Sequence, residues 1–224
     1  MNSKKTLFAV ALLVFLTCRS AYAQSLGSEL VINGGAETGD TTGWLSGGIE
    51  AVVPDAGASG FGDFSFTGGT GPATSQTLQQ DFDISIWASD IDNGVLSTLF
   101  NLQLQARIGG GFSDTANATL FYLDEFDSAI DSVIFVDDFE NVNALQWDFH
   151  SDVRTIPFGT RSLSVLLETS RTGGSSSDGF FDEVSLSVVS AVPEPSSTVL
   201  VMFASVCAIL KRRRTNSIPQ ANGT

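Results

Sequence analysis

Phe100-Asn101-Leu102-Gln103-Leu104-Gln105-Ala106-Arg107-Ile108 alternates apolar and polar side chains without a break. A period of two places one row of side chains in a core and the other in water, as in a half-buried strand. Leu163, Val165 and Leu167 repeat the pattern, as do Val184, Leu186 and Val188. Further strands are expected at 29–33, 49–53, 63–67, 76–82, 116–123 and 132–136. Gly68-Gly69, Asp92-Asn93-Gly94, Gly109-Gly110-Gly111 and Gly173-Gly174 punctuate them as turns, the second as a hairpin or loop turn with a positive-φ Asn-Gly. No sustained helical period runs through residues 24–190. About eight to ten strands over such a length imply an all-β fold, an antiparallel β-sandwich of jelly-roll type.

The two ends have a different character. Lys4 and Lys5, the apolar stretch Leu7 to Leu16 and Ala21-Tyr22-Ala23 have the three-part build of a secretory signal peptide over 1–23, cut after Ala23. At the far end Val192-Pro193-Glu194-Pro195 breaks the last strand, because proline lacks an amide donor and fixes φ. An apolar run then continues to Leu210, and Lys211-Arg212-Arg213-Arg214 closes it. This is the arrangement of a stop-transfer helix at about 196–210, with its basic flank and the polar tail 215–224 in the cytoplasm. Fifteen residues make roughly 22 Å of helix, short for a lasting span and sufficient for a temporary one. The domain between, 24–190, is expected outside the inner membrane.

This C-terminal segment, 191–214, resembles the PEP-CTERM sorting signal of exported bacterial proteins. The resemblance implies processing by an exosortase, a membrane-embedded protease-transpeptidase, and cargo tied to exopolysaccharide or matrix. The protein would then be held at the cell envelope by its C-terminal helix, or released from it.

A second resemblance lies at both ends of the domain. Asn33-Gly34-Gly35-Ala36-Glu37-Thr38-Gly39-Asp40 leading to Gly43-Trp44, with Gly179-Phe180-Phe181-Asp182-Glu183-Val184-Ser185-Leu186, is similar to galactose-binding-like carbohydrate-binding modules. Those jelly rolls often begin with Asn-x-x-x-Glu-x-Gly and close with Phe-Asp-x-Val-x-Leu. The resemblance implies a structural calcium between the terminal motifs, held here by Asn33, Glu37 and Asp182.

Strand parity raises the same question about Asp182. Counted with Phe180, Val184, Leu186 and Val188 it falls on the inward face, where an unpaired carboxylate is expensive. A cation held with Glu37 and the Asn33 region, a nearby arginine, or a bulge turning Asp182 outward would each answer it.

Charge and cysteine bound the function. The stretch from Glu29 to Glu183 holds 24 acids against four arginines and no lysine, a net charge near −20. Such a surface repels phosphate backbones and attracts divalent cations, so nucleic acid is not an expected partner. Cys18 and Cys207 fall in the terminal segments, leaving the domain without disulfides. His150 is the single histidine and no Gly-x-Ser-x-Gly elbow occurs, so nucleophilic triads lack their parts and the chain reads as a non-enzyme.

Sugar binding calls for an aromatic platform beside polar groups. Trp147, between Gln146 and Asp148, is the candidate, with core burial as the alternative; Trp44 reads as core. Asp90-Ile91-Asp92-Asn93-Gly94 lacks the closing glutamate of a calcium loop, since Asn101 stands in its place. Asp124, Glu125, Asp127 and Asp131 read as a solvated hairpin connection. The leading expectation is a non-catalytic exported surface or matrix protein with calcium-assisted glycan affinity. The rivals are a purely structural or interaction sandwich and a polysaccharide hydrolase.

Overall fold

The computed structural model describes residues 25–53, 61–70, 74–106, 108–109, 112–137 and 147–191. The signal peptide, Val192 to Pro195, the expected membrane helix and the polar tail lie outside them. Along the described chain the strands are β1 (Leu45–Gly47), β2 (Ile49–Val52), β3 (Ser65–Gly68), β4 (Ser75–Asp83), β5 (Leu96–Ala106), β6 (Ile108–Gly109), β7 (Phe112–Leu123), β8 (Ala129–Asp137), β9 (Asp148–Thr155), β10 (Ser162–Arg171) and β11 (Gly179–Ser190). Between β4 and β5 a 3-10 turn at Ser85–Trp87 leads into one short helix, α1 (Ala88–Asp92). Among the described residues no helix is long and apolar enough to cross a membrane.

The strands form two antiparallel sheets. One runs β1-β4-β10-β7-β6, with β8 also paired to β7; the other runs β2-β3-β11-β5-β9. The opening alternation is β5, and its inward row of Leu96, Phe100, Leu102 and Leu104 is at most 2 % exposed. Leu78 on β4, Ala118, Leu120 and Tyr122 on β7, and Leu163, Val165 and Leu167 on β10 meet it from the other sheet in one continuous core. Each large apolar side chain so buried contributes roughly 1.5 to 3 kcal/mol. Trp44 lies in this core, edge-on to Phe66 at 5.7 Å. The Tyr122 hydroxyl within it is paired with the equally buried Thr98 Oγ1 at 2.6 Å.

Three expectations are corrected. Residues 29–33 form no strand: a single bridge joins Glu29 to Ser187. Glu29 instead accepts the amides of Val31 and Leu186 at 2.8 and 2.9 Å, so its side chain takes up donors that a ladder would have used. Asn93-Gly94 forms the expected loop turn, closing α1, but not with a positive φ at both residues. Asn93 stays right-handed at φ −86°, and only Gly94 enters the left-handed region at +68°, donating its amide to the Ile91 carbonyl.

The third concerns Asp182. The register of β11 on β5 shifts between Asp182, opposite Gln103, and Ser185, opposite Asn101. Two residues of β11 therefore face one of β5, a bulge in which Glu183 takes φ +50°. Phe181, Val184, Leu186 and Val188 point into the core, while Phe180 and Asp182 share the outer face with Gln105 and Gln103. Parity counted straight through the strand fails at this bulge.

Candidate functional site

Although it faces away from the core, Asp182 is fully buried, because chain folds over it. Its Oδ2 accepts the amide of Phe61 at 3.1 Å and its Oδ1 the amide of Glu183 at 2.7 Å. Burial pushes its carboxyl up to about 6; the two amides pull the other way, and Glu183 and Glu37 add to the rise. Among the described residues no arginine forms an ion pair with it.

The loop bearing Asn33 and Glu37 is zipped onto the same bulge. Gly34 accepts the amide of Val184 at 3.1 Å, and a methyl group at Gly34 would collide with the Val184 carbonyl oxygen. A side chain at Gly35 would begin 3.5 Å from both Asp182 Oδ1 and a Glu183 carboxylate oxygen, and 3.6 Å from Glu37 Cγ. Carboxylate oxygens of Asp182 and Glu183 and the stem of Glu37 thus meet at one glycine, while the Glu37 carboxyl turns to the Asp63 and Phe64 amides.

Glu37 accepts the amides of Asp63 and Phe64 at 3.1 and 3.2 Å. Asn33, at φ +55°, turns its side chain into its own loop, accepting the Thr38 amide at 3.1 Å and donating to the Asp40 carbonyl at 2.9 Å. The structure therefore gathers Glu37 and Asp182 and leaves the Asn33 amide apart from them. Among the described residues no group of three or more His, Cys, Asp or Glu has metal-holding geometry. In donor chemistry the two carboxylates suit a hard cation, and Asp182 is a buried anion without a cationic side chain beside it.

Trp147 is half-buried at the approach to β9 and meets Phe61 edge to face, with ring centroids 6.2 Å apart. Since the Phe61 amide is the donor to Asp182, one residue links the aromatic candidate to the buried carboxylate.

A second feature escaped the sequence reading. A cleft of about 740 Å³ opens beside β4 and β10, with Gln79, Asp81, Asp83 and Ser162 on its floor and the turn after β7, with Asp124, Glu125 and Asp127, on its rim. Asp124 shapes that rim, its Oδ1 accepting the amides of Phe126 and Ser128 at 2.8 and 2.9 Å. Arg161 closes one side, gripping Asp92 through two bonds of 3.1 and 2.8 Å. That grip holds the Asp92 carboxyl below the usual carboxylate range, helped by the Gly159 amide. Gln79 donates to Asp81 Oδ1 at 2.9 Å and to Ser164 Oγ at 3.1 Å, which fixes the orientation of its amide. Alternate polar residues on β4 were the only sequence signal for it; Arg161 sits some 80 positions away and only β4–β10 pairing brings it there. Trp147 does not line this cleft.

No family model matches the chain, and no curated protein matches it in sequence. Among solved structures, the carbohydrate-binding module TmCBM61, in complex with β-1,4-galactotriose, superposes with a TM-score of 0.50 at 14% identity, covering 73% of this chain and 99% of that one. The CBM22-1 xylan-binding domain of Paenibacillus barcinonensis Xyn10C gives 0.44 at 16% identity, covering 75% and 99%. The active domain of a bacteriophage CBA120 tailspike gives 0.48 at 15%, covering 73% of this chain and 21% of that one. The described domain is an all-β, antiparallel two-sheet sandwich with the fold of a carbohydrate-binding module.

Proposed function

We propose that this chain is a non-catalytic exported protein that binds glycans through the cleft beside β4 and β10 and acts at the cell surface or in its matrix. The observation that carries this reading is the cleft itself: a fixed amide, a serine hydroxyl and several carboxylates over a space of about 740 Å³. Carboxylates accept paired hydrogen bonds from neighbouring sugar hydroxyls, and the negative field disfavours phosphorylated or nucleic-acid ligands. The half-exposed Trp147, backed by Phe61, is a second surface for a sugar face.

Calcium belongs to the proposal as a structural ion held by Glu37 and Asp182, with Asn33 shaping the loop between them. Export through the signal peptide, and sorting by an exosortase that recognises Val192, Pro193, Glu194 and Pro195, would deliver the domain to the envelope, held by the C-terminal helix or released from it.

Binding of the full chain to an array of plant and bacterial polysaccharides, with calcium and with chelator, tests the reading. Retained signal that Asp81→Asn weakens supports it; no retained polysaccharide in either condition overturns it. The rival reading, a structural sandwich without a sugar site, draws on Phe82: the aromatic nearest the cleft floor is 6 % exposed and turned into the core. Release of reducing ends from a bound polysaccharide would move the protein to the hydrolases.

A further inference from the structure

We propose that β9 joins two copies of this chain edge to edge, in antiparallel register about Ser151, into one continuous sheet. β9 is the last strand of its sheet, bonded only to β5 among the described residues. The Ile156 amide donates to the Leu96 carbonyl, which sets the alternation of the ladder. Arg154, Asp152, His150 and Asp148 turn their backbone groups toward β5, opposite Thr98, Phe100, Leu102 and Leu104. Phe149, Ser151, Val153 and Thr155 therefore offer their N–H and C=O groups to the free edge.

The side chains decide what that edge accepts. Phe149 and Val153 are 60 % and 66 % exposed on the outer face of the sheet, an apolar pair on a strand that nothing described covers. Asp148, His150, Asp152 and Arg154 point to the other face in strict alternation. Inward charges on an edge strand ordinarily discourage pairing. Here they do so in the neighbouring registers and favour one. Centred on His150, a second copy would set Asp148 against Asp152; centred on Asp152, it would set Asp152 against itself. Centred on Ser151, each Asp148 meets an Arg154, each His150 an Asp152, and each Phe149 a Val153.

The strand is thus self-complementary in both charge and shape, as an isologous two-fold contact requires. With Ser151 on the axis, the free N–H and C=O groups of Phe149, Ser151 and Val153 all find partners on the second copy. A sandwich lengthened in this way presents two clefts on one assembly, and multiplies weak affinity for a polymer.

The test uses the full chain with Cys18→Ser and Cys207→Ser, adding Ser151→Cys. Two residues facing each other in a hydrogen-bonded antiparallel pair have Cα atoms about 5.5 Å apart, within the span of a disulfide. Under mild oxidation Ser151→Cys is expected to run at twice the monomer mass without reductant, while Ser128→Cys, on the exposed turn after β7, stays single. Adding Val153→Lys to the Ser151→Cys chain should cut the crosslinked fraction at least tenfold while the melting curve is retained. Sedimentation of the chain without Ser151→Cys as a monomer at about 100 µM, with no Ser151→Cys crosslink, overturns the proposal. Crosslinking through Phe149→Cys in place of Ser151→Cys overturns the register.

Discussion

The Phe61 amide donates to Asp182 at 3.1 Å, across 121 positions of sequence. That bond roofs a carboxylate that the bulge at Glu183 turns away from the core, and it gives the buried group a measurable signature.

With no cation bound, Asp182 holds its proton more tightly in the folded protein, at about 6, than in the unfolded chain. Its contribution to stability is then fully present below about pH 4 and is lost as pH rises through 6, roughly 3 kcal/mol at most. Melting curves of the chain and of Asp182→Asn, taken in chelator from pH 4 to 7, should diverge in that sense. Calcium should abolish the divergence and raise the melting temperature of the unsubstituted chain at pH 7; identical curves with and without calcium would remove the ion.

Gly34→Ala drives a methyl into the Val184 carbonyl, a backbone atom of the bulge that cannot step aside. We expect a loss of about 3 kcal/mol or more by denaturant unfolding. Gly27→Ala, at φ +80° with nothing within 4 Å, should lose only about 1 kcal/mol, from backbone strain alone.

Tyr122 and Thr98 form a buried hydroxyl pair, and burial pushes the Tyr122 phenol up to about 12. Thr98→Val strands the phenol and should cost about 2 kcal/mol; Tyr122→Phe should cost about 1, because Thr98 Oγ1 still reaches the Arg154 carbonyl at 3.4 Å. The double variant should lose less than the sum, read by urea titration.

Asp81→Asn should weaken glycan binding about tenfold, the effect of one lost charge-assisted bond, without moving the melting temperature. Trp147→Ala tests the other surface. Equal loss in both variants would mean the ligand spans from cleft to edge, and loss in Trp147→Ala alone would move the site to the Phe61 side.

Most strands were legible because alternation records burial directly: β4, β5, β7, β10 and β11 lie where the period of two predicts them. β9 was not, because its inward row is Asp148, His150, Asp152 and Arg154, polar residues at the open side between the sheets. Arg154 is held there by Asp152 of its own strand at 3.6 Å and by Asp131 at 3.3 Å, the latter a contact that exists only once β8 and β9 lie side by side. The cleft was hidden for a related reason. Gln79, Asp81, Arg161 and the turn after β7 come from three separated stretches, and each alone reads as ordinary solvated surface.

By itself, the sequence determined the all-β class, the pairing of apolar rows into a core and the acidity of the surface, since these follow from residue type and a local period. Only the tertiary structure decided which way Asp182 faces, what covers it, and which polar residues share a cleft. A single inserted residue at Glu183 reverses every side chain beyond it, and a fold brings together positions that no local rule connects.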